Sequence, residues 1–140
     1  MRMNLVFLVG MFCGVSTLAH GQSNAERYML QERCGKRAAE VFAKEYSSPS
    51  HMTEDGERQT SNYRNHYSEK LNKCFFLEIS LFTKTGKVSN LLRLYDLNEN
   101  KEYASYWDTS DMSFIDCVVG ETRCKSQEEW YKLAKPYLED

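Results

Sequence analysis

The sequence lacks a large excess of charge of either sign, and this balance limits the kinds of molecule that the protein is expected to bind. Its 140 residues hold 18 Lys and Arg against 20 Asp and Glu, a formal net charge of −2. Nucleic-acid binders and proteins that bind anionic membranes usually need a basic surplus for long-range attraction, so no nucleic-acid partner is expected. Aromatic residues make up 13% of the chain. That is too many for a disordered protein, and the length fits one folded domain.

Motifs that reveal an enzymatic reaction are also missing. The sequence has no Gly-x-Ser-x-Gly element, no glycine-rich phosphate loop and no pair of histidines four residues apart that could hold a metal. The stretch from Asp96 to Asn100 imitates the start of a calcium loop. Lys101 stands where that loop requires Gly, however, and Trp107 where it requires Glu. A polar turn is expected there, with no metal and no cofactor, and the protein is more typical of a non-enzyme.

The one long apolar run lies at the amino terminus. Arg2 precedes it, Leu5 to Val15 is apolar throughout, and the small residues Ala19 and Gly21 follow at the positions that a cut before Gln22 requires. This order is that of a cleaved secretory signal, and the run is shorter than the about 20 apolar residues that span a bilayer. We therefore predict a Sec-type signal peptide over 1–21 and a periplasmic or secreted domain over 22–140, without a stable membrane span. An uncleaved anchor is the alternative.

Removing this leader leaves an even set of cysteines, which in an exported chain indicates a disulfide framework. The set consists of Cys34, Cys74, Cys117 and Cys124. Four cysteines allow three pairings, and the simplest joins Cys117 to Cys124 across a short hairpin and Cys34 to Cys74. A zinc site would prefer cysteines with two to four residues between them, and none of these pairs has that spacing.

Two amphipathic helices are predicted, one at each end of the domain. The first covers 25 to about 46 with Asn24 as its N-cap. Its apolar stripe consists of Leu30, Cys34, Ala38, Val41 and Phe42. The second follows Ser126, which has the capping-box spacing to Glu129, and Pro136 should kink or interrupt its end.

Between the helices the apolar residues recur with a period of two, which is typical of strands. Lys73 to Lys84 and Lys87 to Leu97 are the clearest strands, and the two-residue turn Thr85-Gly86 joins them and fixes their register. One face of this hairpin is nearly all apolar and is the predicted core face. The pairs on that face are Thr83:Val88, Leu81:Asn90, Ile79:Leu92, Leu77:Leu94 and Phe75:Asp96.

The other face of the hairpin is mixed and raises a conflict. It combines the ion pair Glu78:Arg93 with the ring pair Phe76:Tyr95, and Cys74 belongs to it as well. Since Cys34 points to the core, either the first helix covers this end of the mixed face or a bulge near Lys73 changes the parity of the strand.

Further strands are predicted at 63–68 and 101–107, and the polar stretch 47–62 is predicted as a loop. Residues 108–114 should be irregular, and 115–125 should form a hairpin or loop closed by a disulfide. The fold class is therefore α+β: an N-terminal helix, an antiparallel sheet of three to five strands, a C-terminal helix and two disulfides.

Two stretches carry a resemblance. They are the run Asn65 to Phe75 (NHYSEKLNKCF) and the run from Cys124 to Leu138, which contains CKSQEEW and KPYL. Together with Cys34 on an early helix and the segment Glu102 to Tyr106, they resemble a group of small, exported, uncharacterised bacterial proteins. The resemblance supports the cysteine pairing given above, and it implies no reaction.

The remaining candidate site is aromatic. Tyr and Trp side chains alternate with polar ones along the predicted strands, and core packing accounts for most of them. Rings left exposed would bind an envelope protein, a glycan or a small apolar ligand. The candidate surface consists of Tyr95, Tyr103, Tyr106 and Trp107.

We therefore expect a non-enzymatic binding or interaction module of the cell envelope. One alternative is an envelope hydrolase that uses carboxylates of Asp108, Asp111 and Asp116, which requires a concave site with a carboxyl group of raised pKa. The other is a structural or stress protein with no specific ligand. The sequence does not indicate an oligomeric state.

Overall fold

The computed structural model describes residues 23–109, 111, 113 and 115–139, so the predicted signal peptide lies outside the described residues. Within this part the chain forms two helices and seven strands, and neither helix is long and apolar enough to cross a membrane. In chain order the elements are α1 (Asn24–Glu45), β1 (Ser50–Met52), β2 (Arg58–Ser68), β3 (Lys73–Lys84), β4 (Lys87–Asp96), β5 (Lys101–Asp108), β6 (Ile115–Val119), β7 (Thr122–Arg123) and α2 (Gln127–Leu138). The strands form one antiparallel sheet in that same order.

The fold is α+β as predicted, but the sheet has more strands than three to five. The prediction of a loop over 47–62 is wrong, because β1 and the first part of β2 pair there. The turn between them is closed by hydrogen bonds from the Thr53 amide to Glu57 O, 2.8 Å, and from the Gly56 amide to Thr53 O, 3.0 Å. All residues of β1 are exposed. An edge strand without a buried face shows no alternation of apolar and polar residues, which is why the sequence pattern missed it.

The central hairpin has the predicted register. Lys84 lies opposite Lys87 and Phe76 opposite Tyr95, with no shift between β3 and β4. The turn residues Thr85 and Gly86 both have positive φ, 46° and 79°. This is the conformation that a two-residue turn needs to match the twist of its strands.

The helices cover opposite faces of the sheet. On one face α2 packs onto the predicted core face, with Trp130 and Ala134 buried against Leu77 and Leu92. On the other face α1 packs on β2 and β3, with Ala38 buried beside Phe76. The first of the two alternatives for Cys74 is therefore correct. The shift in register lies elsewhere, between β4 and β5 at Leu94 and Tyr95.

Two disulfides are present, with the predicted pairing. Cys34–Cys74 joins α1 to β3 with the Cα atoms 5.4 Å apart, and Cys117–Cys124 closes the β6–β7 hairpin with the Cα atoms 5.0 Å apart. The first bond fixes α1 against the sheet. The second holds the end of the sheet next to the start of α2.

The helix ends depart from the prediction in two details. Ser23, not Asn24, is the N-cap of α1, since its hydroxyl accepts the Glu26 amide at 3.2 Å. Ser126 caps α2 as predicted, and Pro136 does not interrupt that helix, which continues to Leu138. The proline lies in the last turn, where only one internal hydrogen bond is lost.

Candidate functional site

The four rings of the predicted binding surface do not share one face. Strand partners lie on the same side of a sheet, and successive residues lie on opposite sides. Tyr106 pairs with Leu92 and faces α2, whereas Trp107 pairs with Leu91 and faces the α1 side. Tyr95 lies on the α1 side beside Phe76.

Tyr103 and Tyr106 are packed under α2. Tyr106 is 1% exposed, and its hydroxyl donates to Asp108 Oδ2 at 2.9 Å. Burial and this bond raise the pKa of Tyr106 to about 12. The ring of Tyr103 contacts Tyr137 of α2, with the ring centroids 5.5 Å apart. These two tyrosines therefore pack in the core between the sheet and α2, and Tyr106 has no exposed surface that a partner could contact.

Trp107 is the exposed member of the four, at 39% of its surface. Its ring stacks on Phe82 with the centroids 5.6 Å apart and 19° between the planes. This pair lies on the part of the sheet face that α1 leaves open. That this aromatic pair binds an envelope protein or a glycan stays a prediction.

The carboxylate cluster proposed for hydrolysis does not converge. Asp108 is buried on the α2 side, and its oxygens accept from the backbone and side-chain nitrogens of Asn90 at 2.8 and 2.9 Å and from Tyr106. Asp116 pairs with Trp107 and lies on the opposite side of the sheet. The two carboxylates thus face away from each other.

The carboxylate of Asp111 accepts hydrogen bonds from neighbouring residues of its own turn. The amide and hydroxyl of Ser113 and the hydroxyl of Thr109 donate to its Oδ1. The Ser113 hydrogen bonds, followed by that of Thr109, hold the pKa of Asp111 well below its usual range. A general acid needs a raised pKa instead, so Asp111 is not suited to that role.

A preformed groove lies between α1 and β4, on the side of the sheet that faces α1. Its volume is about 300 Å³. We call it the α1–β4 groove. Its apolar lining consists of Val41 of α1, Phe76 of β3, Tyr95 of β4 and Leu97, which follows β4.

A buried polar cluster forms part of the lining of this groove. Glu78 is 3% exposed, and its Oε2 accepts from Nε and Nη2 of Arg93 at 2.9 and 2.6 Å. Its Oε1 accepts from the hydroxyls of Tyr46 and Ser80. Both carboxylate oxygens are satisfied, so this buried charge is tolerated.

Both tyrosines of the groove keep their protons at neutral pH. Burial, followed by the hydrogen bond to Glu78, raises the pKa of Tyr46. Burial also raises the pKa of Tyr95 to about 12, although the nearby Arg93 opposes the shift. The groove therefore presents neutral tyrosine hydroxyls and one paired carboxylate, and Arg37, Glu45 and Asn100 add further polar groups to its lining.

A second cavity, also of about 300 Å³, adjoins the groove along α1. Both cavities are lined by Arg37. The second contains the Cys34–Cys74 disulfide, and Arg33, Asn72 and Asn98 contribute polar groups. We call it the arginine cavity.

The turn after β4 is fixed by a buried carboxylate. Asp96 is fully buried, its Oδ2 accepts from Lys73 Nζ at 2.6 Å, and its Oδ1 accepts from the amides of Asn98 and Glu99. Burial favours protonation, but these hydrogen bonds together outweigh it and lower the pKa of Asp96. Within the described ranges no group of three His, Cys, Asp or Glu side chains is placed to hold a metal ion.

Replacing Asp96 by Asn is expected to lower the free energy of unfolding by about 2 kcal/mol at neutral pH. The pKa of Asp96 is lower in the folded than in the unfolded state. Its stabilising contribution is therefore present above about pH 4 and is lost as the pH falls through the folded-state pKa. Urea unfolding across this range should show the difference between Asp96→Asn and the unmodified protein shrinking at low pH.

The matched control is Glu54→Gln, at an exposed position between β1 and β2, which should change stability little at any pH. A difference between Asp96→Asn and the unmodified protein that stays constant with pH would contradict the assignment.

No protein-family model matches the chain, and no curated protein or solved structure matches it significantly. The candidate site therefore depends on geometry alone. Sequence reasoning identified Tyr95 but missed Val41 and Arg37 as site residues. Val41 was assigned to the apolar stripe of α1, and nothing in the sequence marks Arg37.

Proposed function

We propose that the protein is an exported binding module that holds a small, largely apolar ligand in the α1–β4 groove and catalyses no reaction. The observation that carries the proposal is the groove itself, in which an apolar wall lies beside the satisfied Glu78–Arg93 pair. The polar part of the lining also includes Arg37, Glu45 and Asn100. Ligand sites in proteins combine an apolar lining with a few polar groups, in volumes of roughly 300–1,000 Å³.

The disulfides support both parts of the proposal. Structural disulfides persist in oxidising compartments, which agrees with export. Cys34–Cys74 also holds the wall of the groove in place. A ligand site that is formed before binding loses less affinity to ordering.

The test is binding of the uncharged fluorescent probe N-phenyl-1-naphthylamine to the full exported chain. Val41, 36% exposed in the groove wall, is replaced by Gln. Since Gln fills the groove with a polar group, at least a tenfold weaker affinity is expected.

Val88→Gln is the matched control. Val88 is 42% exposed near the tip of the β3–β4 hairpin, on the face that α2 covers. Its replacement should change the affinity less than twofold. The proposal fails if the unmodified protein shows no saturable binding or if both variants lose affinity equally.

A further inference from the structure

The arginine cavity is lined by two positively charged side chains, those of Arg33 and Arg37. Arg33 and Arg37 lie four residues apart and therefore on one side of α1. In the described part of the chain neither forms an ion pair, since the ion pairs of α1 involve Arg27 and Lys36 instead.

Among the described residues, those that line the arginine cavity include no Asp or Glu. Glu99 binds Lys73 at 2.8 Å, and Glu78 binds Arg93. Glu45 lines the α1–β4 groove but not the arginine cavity. The positive charge at Arg33 and Arg37 is thus directed to an open volume.

The remaining polar lining of this cavity supplies hydrogen-bond donors. Asn72 Oδ1 accepts from the Tyr67 hydroxyl at 2.7 Å, which leaves the amide N–H groups of Asn72 for another acceptor. Asn98 lines the same cavity. Two guanidinium groups and two amides match an anionic head group with several acceptor oxygens.

The two cavities meet at Arg37 and differ in character. The α1–β4 groove is walled by Val41, Phe76 and Leu97, while the arginine cavity is polar apart from Leu30 and the disulfide. We infer that the ligand is an anionic amphiphile, with its carboxylate or phosphate head at Arg33 and Arg37 and its apolar body in the groove. This inference rests on the proposed function, because it names the ligand class of the same site.

The test compares three probes with the same chain length: decanol, decanoate and decyl phosphate. Each displaces N-phenyl-1-naphthylamine from the full exported chain below its critical micelle concentration. The anions are expected to bind at least tenfold more tightly than decanol at low salt, with the advantage falling as salt rises. The ratio of decanoate to decyl phosphate affinity identifies whether the head is a carboxylate or a phosphate.

The variant Arg33→Gln, at a residue that lines the arginine cavity but not the groove, should weaken both anions at least threefold and leave decanol within twofold. The control is Arg64→Gln, which removes the same charge from the sheet face opposite α1 and should change none of the three affinities. Circular dichroism and thermal unfolding verify that all variants fold.

The possible outcomes distinguish a failure of the anionic ligand class from a failure of the groove as a binding site. If decanol binds but the anions bind no more tightly, or if the arginine variant weakens all three probes alike, the anionic ligand class is wrong and the groove proposal stands. If the unmodified protein binds none of the probes, both proposals fail. A loss confined to the anions in the arginine variant alone establishes the head-group site.

Discussion

The double variant Cys34→Ala/Cys74→Ala is expected to lose about 4 kcal/mol of unfolding free energy, the largest effect we predict. The disulfide closes a sequence separation of 40 residues, and the chain-entropy cost of a loop of that size is about 4 kcal/mol. Urea unfolding measures this loss. Because α1 forms one wall of the α1–β4 groove, the affinity for N-phenyl-1-naphthylamine should also fall at least tenfold.

Cys117→Ala/Cys124→Ala provides the control for this prediction. Its disulfide spans only 7 residues, so a smaller loss of about 2.5 kcal/mol is expected. The hairpin it closes lies at the far edge of the sheet from α1, so the probe should bind with unchanged affinity. If both double variants reduced the affinity equally, the first disulfide would have no specific role in the groove.

The parts of the fold that could be predicted are those that local chemistry determines. A two-residue turn at Thr85-Gly86 leaves only one register for its strands, and that register is the observed one. The cysteine pairing was also predictable, since Cys117 and Cys124 are close in sequence and only one pair then remains. Ser126 and Glu129 stand three residues apart, which fixes the start of α2.

The α1–β4 groove could not be predicted because tertiary packing creates it. Val41 and Tyr95 are distant in sequence, and each is explained by the pattern of its own element. The pattern assigned Glu78 and Arg93 to a partly solvated face, which is correct for a bare hairpin. The end of α1 changes this environment, because the Tyr46 hydroxyl reaches Glu78 and helps to bury it.

Replacing Arg93 by Leu is expected to lower the unfolding free energy by about 3 kcal/mol. The Glu78 carboxylate would lose its charged partner while remaining buried, and removing one member of a buried pair has a cost of that order. Arg93 is about one-third exposed, which places the estimate at the lower end of the range. Chemical unfolding of the variant measures the loss.

Replacing the other member of the pair, Glu78, should have a smaller effect on stability, and the difference tests the role of the ion pair. Glu78→Leu leaves the half-buried Arg93 able to reach water, so a loss of only about 1 kcal/mol is expected. In Glu78→Leu/Arg93→Leu no buried charge remains, and most of the stability should return because apolar replacements of a buried pair are often neutral. Additive losses in this cycle would mean that the two side chains act independently. Recovered stability combined with weaker probe binding would mean that the pair is kept for the ligand and not for the fold.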